Sequence, residues 1–293
     1  MSGLRISTIT ATASVNYPVD LKKLFDDIPL EDGVVFVEYG RVKTERITRG
    51  VHPRMTEADD VPTKKKHGCN TGRRFDNQTT IVMRVQDSCV NLKVFGNGSV
   101  QMTGLKRIED GPLAVNIVVK AIKAVSSASA GEIDDKACVD DMTMLECVDY
   151  RVRMINSDFR LGWPVRRDYA YVVMMREYGM RCFYEASAYP GLKIEYYYNP
   201  SQDARGICKC EDRGLSVKCS HCHKITIIVF RSGAVIITGA ATHEHLDEAY
   251  AFITNAMAKH RGSLEHVEYR PAVAEDRAAA VDPPQAAAGG GDV

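Results

Sequence analysis

Two stretches of the chain alternate apolar with polar or small residues around a short turn. They are Val94-Phe95-Gly96-Asn97-Gly98-Ser99-Val100-Gln101-Met102-Thr103-Gly104 and Val229-Phe230-Arg231-Ser232-Gly233-Ala234-Val235-Ile236-Ile237-Thr238-Gly239. Each predicts a β-hairpin: the apolar positions suit half-buried strands, and a polar turn containing glycine lets the chain reverse. Phe, Gly, Val, Thr and Gly recur at a constant offset of 135. A helical pattern follows each hairpin. Leu113, Ile117, Val118, Ala121 and Ile122 recur at three-to-four spacing after the first. Leu246, Ala249, Tyr250, Ile253 and Met257 do so between His243 and His260 after the second. Upstream, Tyr17-Pro18-Val19-Asp20-Leu21-Lys22-Lys23 has a counterpart in Trp163-Pro164-Val165-Arg166-Arg167-Asp168. In each, the proline is expected to open a short helix, where its missing N–H costs nothing.

The predicted unit is strand, short helix, several antiparallel strands and long helix, used twice. Two such units joined edge to edge give an α+β fold with one long antiparallel sheet. Helices would cover one face and leave the other open, and an open face of that size needs a function. The expected organisation is a first repeat over 1–125, with an insertion at about 40–74, and an acidic linker over 126–148. A second repeat follows over 149–262, with a cysteine-rich insertion at about 199–224. Residues 263–293 form a tail whose Ala-, Pro- and Gly-rich end reads as disordered.

Composition adds a tension. Lys plus Arg and Asp plus Glu both number 38, so the chain lacks the basic excess of a typical nucleic-acid binder. The charge is unevenly spread, however. Residues 41–74 hold ten Lys/Arg against four Asp/Glu, and residues 126–149 hold one Lys against seven Asp/Glu. A neutral total then hides a basic surface and an acidic one. No apolar run is long enough to span a membrane, and the N-terminal MSGLRISTITATAS lacks the apolar core of a signal peptide. A soluble intracellular protein is expected. In that compartment the nine cysteines read as thiols or metal ligands rather than a disulfide framework.

Four of them are spaced for a metal. Cys208, Cys210, Cys219 and Cys222 form C-x-C-x8-C-x2-C, two close pairs with a turn-like spacer, which suits tetrahedral Zn2+. His221 and His223 are alternative ligands, and a loop with free thiols is the alternative reading. No open three-ligand pattern or His-Glu-x-x-His motif occurs, so the role expected for zinc is structural. No nucleophile–base set or phosphate-binding glycine loop stands in a credible context, and an enzyme is not expected. The Lys64-Lys65-Lys66-His67 run reads equally as an arm that tracks phosphates or as a solvated loop.

The hairpins NGSVQMTGLK and RSGAVIITGA, with YPGLKI and VNYPVDLKKL, resemble the signature segments of the TATA-box-binding protein family. The wording of FDNQTTIVMR with NGSVQMTGLK is most similar to the TATA-binding-like factors of large double-stranded DNA viruses. The resemblance covers roughly residues 5–125 and 149–262. It implies a pseudo-two-fold saddle whose concave sheet sits on a widened DNA minor groove, with aromatic wedges kinking base steps at each end. It further implies a role in transcription initiation, with a transcription factor IIB-like protein and RNA polymerase as partners. The compartment implied is the nucleus or a cytoplasmic viral factory, with packaging in the virion as a further destination.

Carried over residue by residue, the resemblance makes Phe95 and Phe230 wedges and puts Tyr189 at a third wedge position. Counting back from Arg84 gives Gln78 for the fourth, with Phe75 nearby as the aromatic that a bulge would bring in. Thr103 and Thr238 match groove-facing threonines, Gln101 and Ile236 share their face by alternation, and Arg84 matches a phosphate-contacting arginine. The chain departs from the family at Thr8 and Met154, which stand where it has central asparagines. It departs again at Ser99 and Ala234, where the family has lysines, and at Glu195, where it has an arginine. Those departures support a second reading on the same fold, a protein-interaction scaffold with weak or no sequence-specific DNA binding.

Overall fold

The computed structural model of the chain describes residues 2–40, 47–53, 77–128, 146–201, 206–210, 219 and 221–266. The first half contains β1 (Arg5–Ser14), α1 (Leu21–Asp27), β2 (Val34–Tyr39), β3 (Ile47–Gly50), β4 (Gln78–Val85), β5 (Ser88–Phe95), β6 (Ser99–Leu105) and α2 (Asp110–Ala128). The second contains β7 (Val148–Arg160), α3 (Arg167–Arg176), β8 (Arg181–Phe183), β9 (Gly191–Tyr198), β10 (His223–Phe230), β11 (Ala234–Ala240), α4 (His243–Lys259) and α5 (Arg261–Leu264).

The strands form one sheet in the order β3-β2-β4-β5-β6-β1-β7-β11-β10-β9-β8, each neighbouring pair antiparallel. Outward from the central β1–β7 ladder, the order is β6-β5-β4-β2 on one side and β11-β10-β9-β8 on the other. β3 is an extra edge strand of the first half. The end strands do not meet, so the sheet is open rather than a barrel. Among the described residues, no helix is long and apolar enough to cross a membrane.

Period-two patterning gives the sheet its two faces. In β1, Ile9, Ala11 and Ala13 are buried while Thr8, Thr10, Thr12 and Ser14 are partly exposed. In β5, Val90, Leu92 and Val94 are buried while Asn91, Lys93 and Phe95 are less so. The buried face carries the helices: α1 and α2 pack on the first half, α3 and α4 on the second. Ala114, Val115, Val118 and Ile122 of α2, and Leu246, Ala249, Ile253 and Met257 of α4, join the strands in one hydrophobic core. Val118, Ala121 and Ile122 of the predicted α2 stripe are buried and Ile117 packs against the core, so the stripe departs only at its first residue. Leu113 is 45% exposed, while Ala114 and Val115 are buried in its place.

The prolines do not open helices. Asp20 is the N-cap of α1 and accepts from the Lys22 and Lys23 amides, a cap worth about 1 kcal/mol. Pro18 therefore lies two residues before the N-cap of α1, and Pro164 lies two residues before the Arg166 N-cap of α3. The segments that hold these prolines serve the hairpins instead. Val15 N–H donates to Gly98 O and Val19 N–H to Gly96 O, both at 2.9 Å. Leu161 N–H donates to Gly233 O at 2.9 Å and Val165 N–H to Arg231 O at 2.8 Å, the same contacts in the second half. Gly98 (φ +80) and Gly233 (φ +76) are required at these turns. A Cβ there would lie 2.2 Å from Tyr17 O and 2.1 Å from Trp163 O, respectively.

The expected boundaries shift slightly. α2 runs to Ala128, β7 begins at Val148, and β9 and β10 bracket the cysteine-rich stretch at Tyr198 and His223. Most of the acidic linker, the lysine run at 64–66 and residues 267–293 lie outside the described residues.

Candidate nucleic-acid interface

The face opposite the helices carries Thr103, Gln101, Thr238, Ile236 and Arg84. Register assigns them, because directly paired residues point to the same side. Thr10 pairs with Thr103 and Thr12 with Gln101. Thr226 pairs with Thr238 and Ile228 with Ile236. Arg84 pairs with Cys89 and is exposed. These positions form a broad surface of hydroxyls, amides and β-branched methyls.

Phe95 and Phe230 close β5 and β10 at opposite ends of this face, each partly buried. Tyr189 stands beside Phe230, with ring centroids 6.2 Å apart and a 59° tilt. Lys193 Nζ lies 4.4 Å from the Tyr189 ring centroid. Gly191 pairs with Phe230 and makes room for this arrangement. A Cβ at Gly191 would come within 2.4 Å of Ile228 Cγ2 and 2.7 Å of Tyr189 Cε1.

The fourth wedge position is corrected by the register. Gln78 pairs with Phe95 as Gly191 pairs with Phe230, so Gln78 corresponds to Gly191 and not to Tyr189. The counterpart of Tyr189 is then two residues before Gln78, next to Phe75. That segment, Phe75 included, lies outside the described residues.

At the centre, Thr8 pairs with Asn156, Ile9 with Ile155 and Thr10 with Met154. Thr8 and Met154 are therefore related across the middle of the β1–β7 ladder. Asn156, which the sequence reading missed, stands beside them. Thr238 Oγ1 donates to its Oδ1 and lies 3.4 Å from Met154 Sδ. Alternation along β7 from Met154 is the signal that points to it. Thr8 Oγ1 accepts from Gly104 N–H at 3.1 Å, and Thr12 Oγ1 from Arg153 Nε at 2.8 Å.

The two outer ends of the face differ chemically. In the first half, the register partners Phe36 and Val82 are 6% and 2% exposed, and the His52 ring packs edge-on to Phe36 at 5.0 Å. In the second half, the equivalent pair is Arg181 and Glu195. Glu195, 8% exposed, accepts from Lys224 Nζ at 3.1 Å and the Tyr197 hydroxyl at 2.9 Å, and Arg181 Nη1 lies 3.6 Å away. Burial raises the pKa of this carboxyl. The hydrogen bonds from Lys224 and Tyr197 and the charges of Lys224 and Arg181 outweigh it and hold the pKa below the usual carboxylate value. Glu195 thus neutralises two cations on the open face. Lys106 near the first hairpin donates to Ser7 O, and Arg107 lies by Gln86 and 3.7 Å from Asp87.

The four predicted metal-ligand cysteines come together. Their sulfurs all lie within 4.8 Å of one another, and Cys210 and Cys222 are 3.6 Å apart. A tetrahedron with metal–sulfur bonds of about 2.3 Å sets sulfurs about 3.8 Å apart, so the donor set fits zinc. Asn199 Nδ2 donates to Cys222 Sγ at 3.4 Å and His221 N–H to Cys219 Sγ at 3.3 Å. That amide bond is the main cause drawing the Cys219 thiol down to about 6, whereas burial pushes Cys222 up to about 12. His223 turns away, with Nε2 2.6 Å from Gly239 O and its ring stacked on His245 at 4.3 Å.

Residues 174–260 match the family model described as "Transcription factor TFIID (or TATA-binding protein, TBP)". The chain is 29% identical over 265 residues to a "TATA-box-binding protein-like" protein of Acanthamoeba polyphaga mimivirus, across 88% of this chain and 65% of that one. It is 20% identical over 202 residues to the TATA-box-binding protein of Saccharomyces cerevisiae, across 69% of this chain and 66% of that one. It therefore spans about two thirds of the length of these relatives. Among solved structures, Methanococcus jannaschii TBP aligns with TM-score 0.46 at 18% identity, covering 88% of this chain and 99% of that one. The chain is thus similar in sequence to TATA-box-binding proteins.

Proposed function

We propose that the chain is a TATA-box-binding-protein-like factor that binds and bends DNA through the minor groove in transcription initiation. One observation carries this reading. Phe95 and Phe230 stand at the turns of matched hairpins, at opposite ends of one sheet face made of Thr, Gln, Asn and Ile side chains. Wedging there costs a few kcal/mol per unstacked step, offset by the DNA surface wrapped onto the sheet. Tyr189 extends the Phe230 wedge. Thr103, Thr238, Gln101 and Ile236 meet the groove floor, and Arg84 reaches a phosphate. The Asn156 amide stands where it can donate to the acceptors of A·T pairs. A transcription factor IIB-like protein and RNA polymerase are the partners this role implies. Cys208, Cys210, Cys219 and Cys222 hold a structural zinc ion that fixes the β9–β10 connection.

Glu195 favours one alternative. A carboxylate that neutralises Arg181 and Lys224 on the binding face weakens phosphate attraction, which suits a protein-interaction scaffold on the same fold. Binding isotherms on short duplexes of varied A·T content across a salt series separate the two. A salt-dependent isotherm that favours A·T sequences supports DNA binding, and no binding at low salt supports the scaffold.

A further inference from the structure

Beside the second hairpin lies a cleft of about 340 Å³ lined by Val165, Arg166, Arg167, Asp168, Tyr184, Arg231 and His266. Three of these residues are arginines, and none makes a salt bridge with a carboxylate among the described residues. Asp168 is the one acidic group in the lining, so the cleft keeps an excess of two positive charges with His266 neutral. Two of the three guanidiniums are held in place. Arg166 lies 3.6 Å from the Tyr169 ring centroid, and Arg167 lies 5.2 Å from the Tyr184 centroid while donating to Pro190 O. The cleft is tied to the hairpin by Val165 N–H, which donates to Arg231 O. His266 N–H donates to Pro164 O at 2.8 Å, and its Nδ1 is buried without a partner. The first half has no such charge at the matching position, where Asp20 caps α1 in place of Arg166.

We infer that this cleft binds a backbone phosphate of DNA flanking the segment seated on the sheet. The inference rests on the DNA-binding reading above and adds a contact outside the saddle. Arg231 directly follows Phe230, and Arg167 touches the Pro190 carbonyl next to Tyr189. A duplex kinked at this aromatic pair sends its next phosphates past this end of the sheet. The stacked guanidiniums of Arg166 and Arg167 offer paired N–H donors that match phosphate oxygens, at less entropic cost than a free lysine, and Arg231 adds a third cation at the hairpin turn. The contact is one-sided, so it also sets which flank of an asymmetric site the protein grips.

The test uses the full chain and two A·T-rich duplexes with the same centre. One ends at the kinked step, and the other continues for about one helical turn, roughly 10 bp, on either side. The wild type is expected to bind the extended duplex about tenfold more tightly near 0.1 M salt, with a salt slope steeper by about one to two. Combined Arg166→Gln, Arg167→Gln and Arg231→Gln should erase that difference and leave the short duplex unaffected. Arg231→Gln alone, at an exposed turn, should lower the slope by about one and guards against misfolding of the triple variant. Equal wild-type affinity for both duplexes overturns the inference. So does a triple variant that weakens both duplexes alike, or one that leaves DNA binding intact and loses only an acidic protein partner. Failure of the wild type to bind either duplex overturns the underlying DNA-binding reading instead.

Discussion

Replacing Glu195 with glutamine isolates the electrostatics of the open face. The introduced amide keeps an acceptor for Tyr197 and Lys224 but removes the negative charge facing Lys224 and Arg181. Glu195 is 8% exposed, whereas the Lys224 and Arg181 side chains are 45% and 47% exposed. The loss therefore falls between that of a surface pair and that of a buried one, about 1–2 kcal/mol of stability. Because the folded-state pKa is depressed, this contribution is present above the unfolded carboxyl value of about 4.3 and is lost as pH falls through the folded value. Wild type and E195Q should therefore differ in stability at pH 7 and converge in strong acid. DNA affinity should move the other way. Each cation freed to meet a phosphate adds about 0.9 to the salt slope, or about tenfold in affinity near 0.1 M salt. Fluorescence anisotropy across a salt series reads both quantities on one duplex. An E195Q variant that binds no more tightly, with an unchanged slope, would refute the claim that these cations face phosphate.

Other consequences follow from single contacts. Phe230→Ala and Phe95→Ala should each cost about 1–2 kcal/mol, since both rings are partly buried, which is less than the 3–5 kcal/mol or so of a core phenylalanine; chemical denaturation measures this. Purified protein should carry about one zinc per chain by elemental analysis, and Cys208→Ser should lower both zinc content and melting temperature; full metal content in that variant would remove Cys208 from the ligand set. Gly233→Ala should destabilise by more than about 2 kcal/mol, because a positive φ combines with a clash against Trp163 O; a loss within about 0.5 kcal/mol would contradict the turn geometry.

The fold is legible in the sequence where local pattern and long-range contact agree. The hairpins at Phe95 and Phe230, and the helices after them, follow directly from period-two and helical spacing. The Val15–Gly98 and Leu161–Gly233 contacts explain why the two turns share their glycine. The misplaced details depend on register or on packing direction, which sequence spacing does not contain. Counting from Arg84 matches Gln78 to Tyr189, whereas the β4–β5 and β9–β10 ladders equate it with Gly191. Leu113 fits the α2 stripe by spacing, but the helix turns its Ala114 and Val115 side to the sheet. Asn156 escapes a comparison that stops at Met154, although both share one face. The Glu195 network and the arginine cleft are hidden because each gathers residues distant in sequence. The cysteine cluster is the reverse case, since close spacing in the chain alone brings all four sulfurs within reach.

The central claim is that the open face bends DNA between two aromatic wedges. Energy transfer between dyes at the two ends of an A·T-rich duplex tests it most directly, with wild type and the combined F95A and F230A variant compared at saturating protein. The account predicts that the wild type shortens the end-to-end distance, and that the folded double variant binds more weakly and leaves the duplex nearly straight. An end-to-end distance unchanged by the wild type, or shortened equally by the double variant, would contradict it.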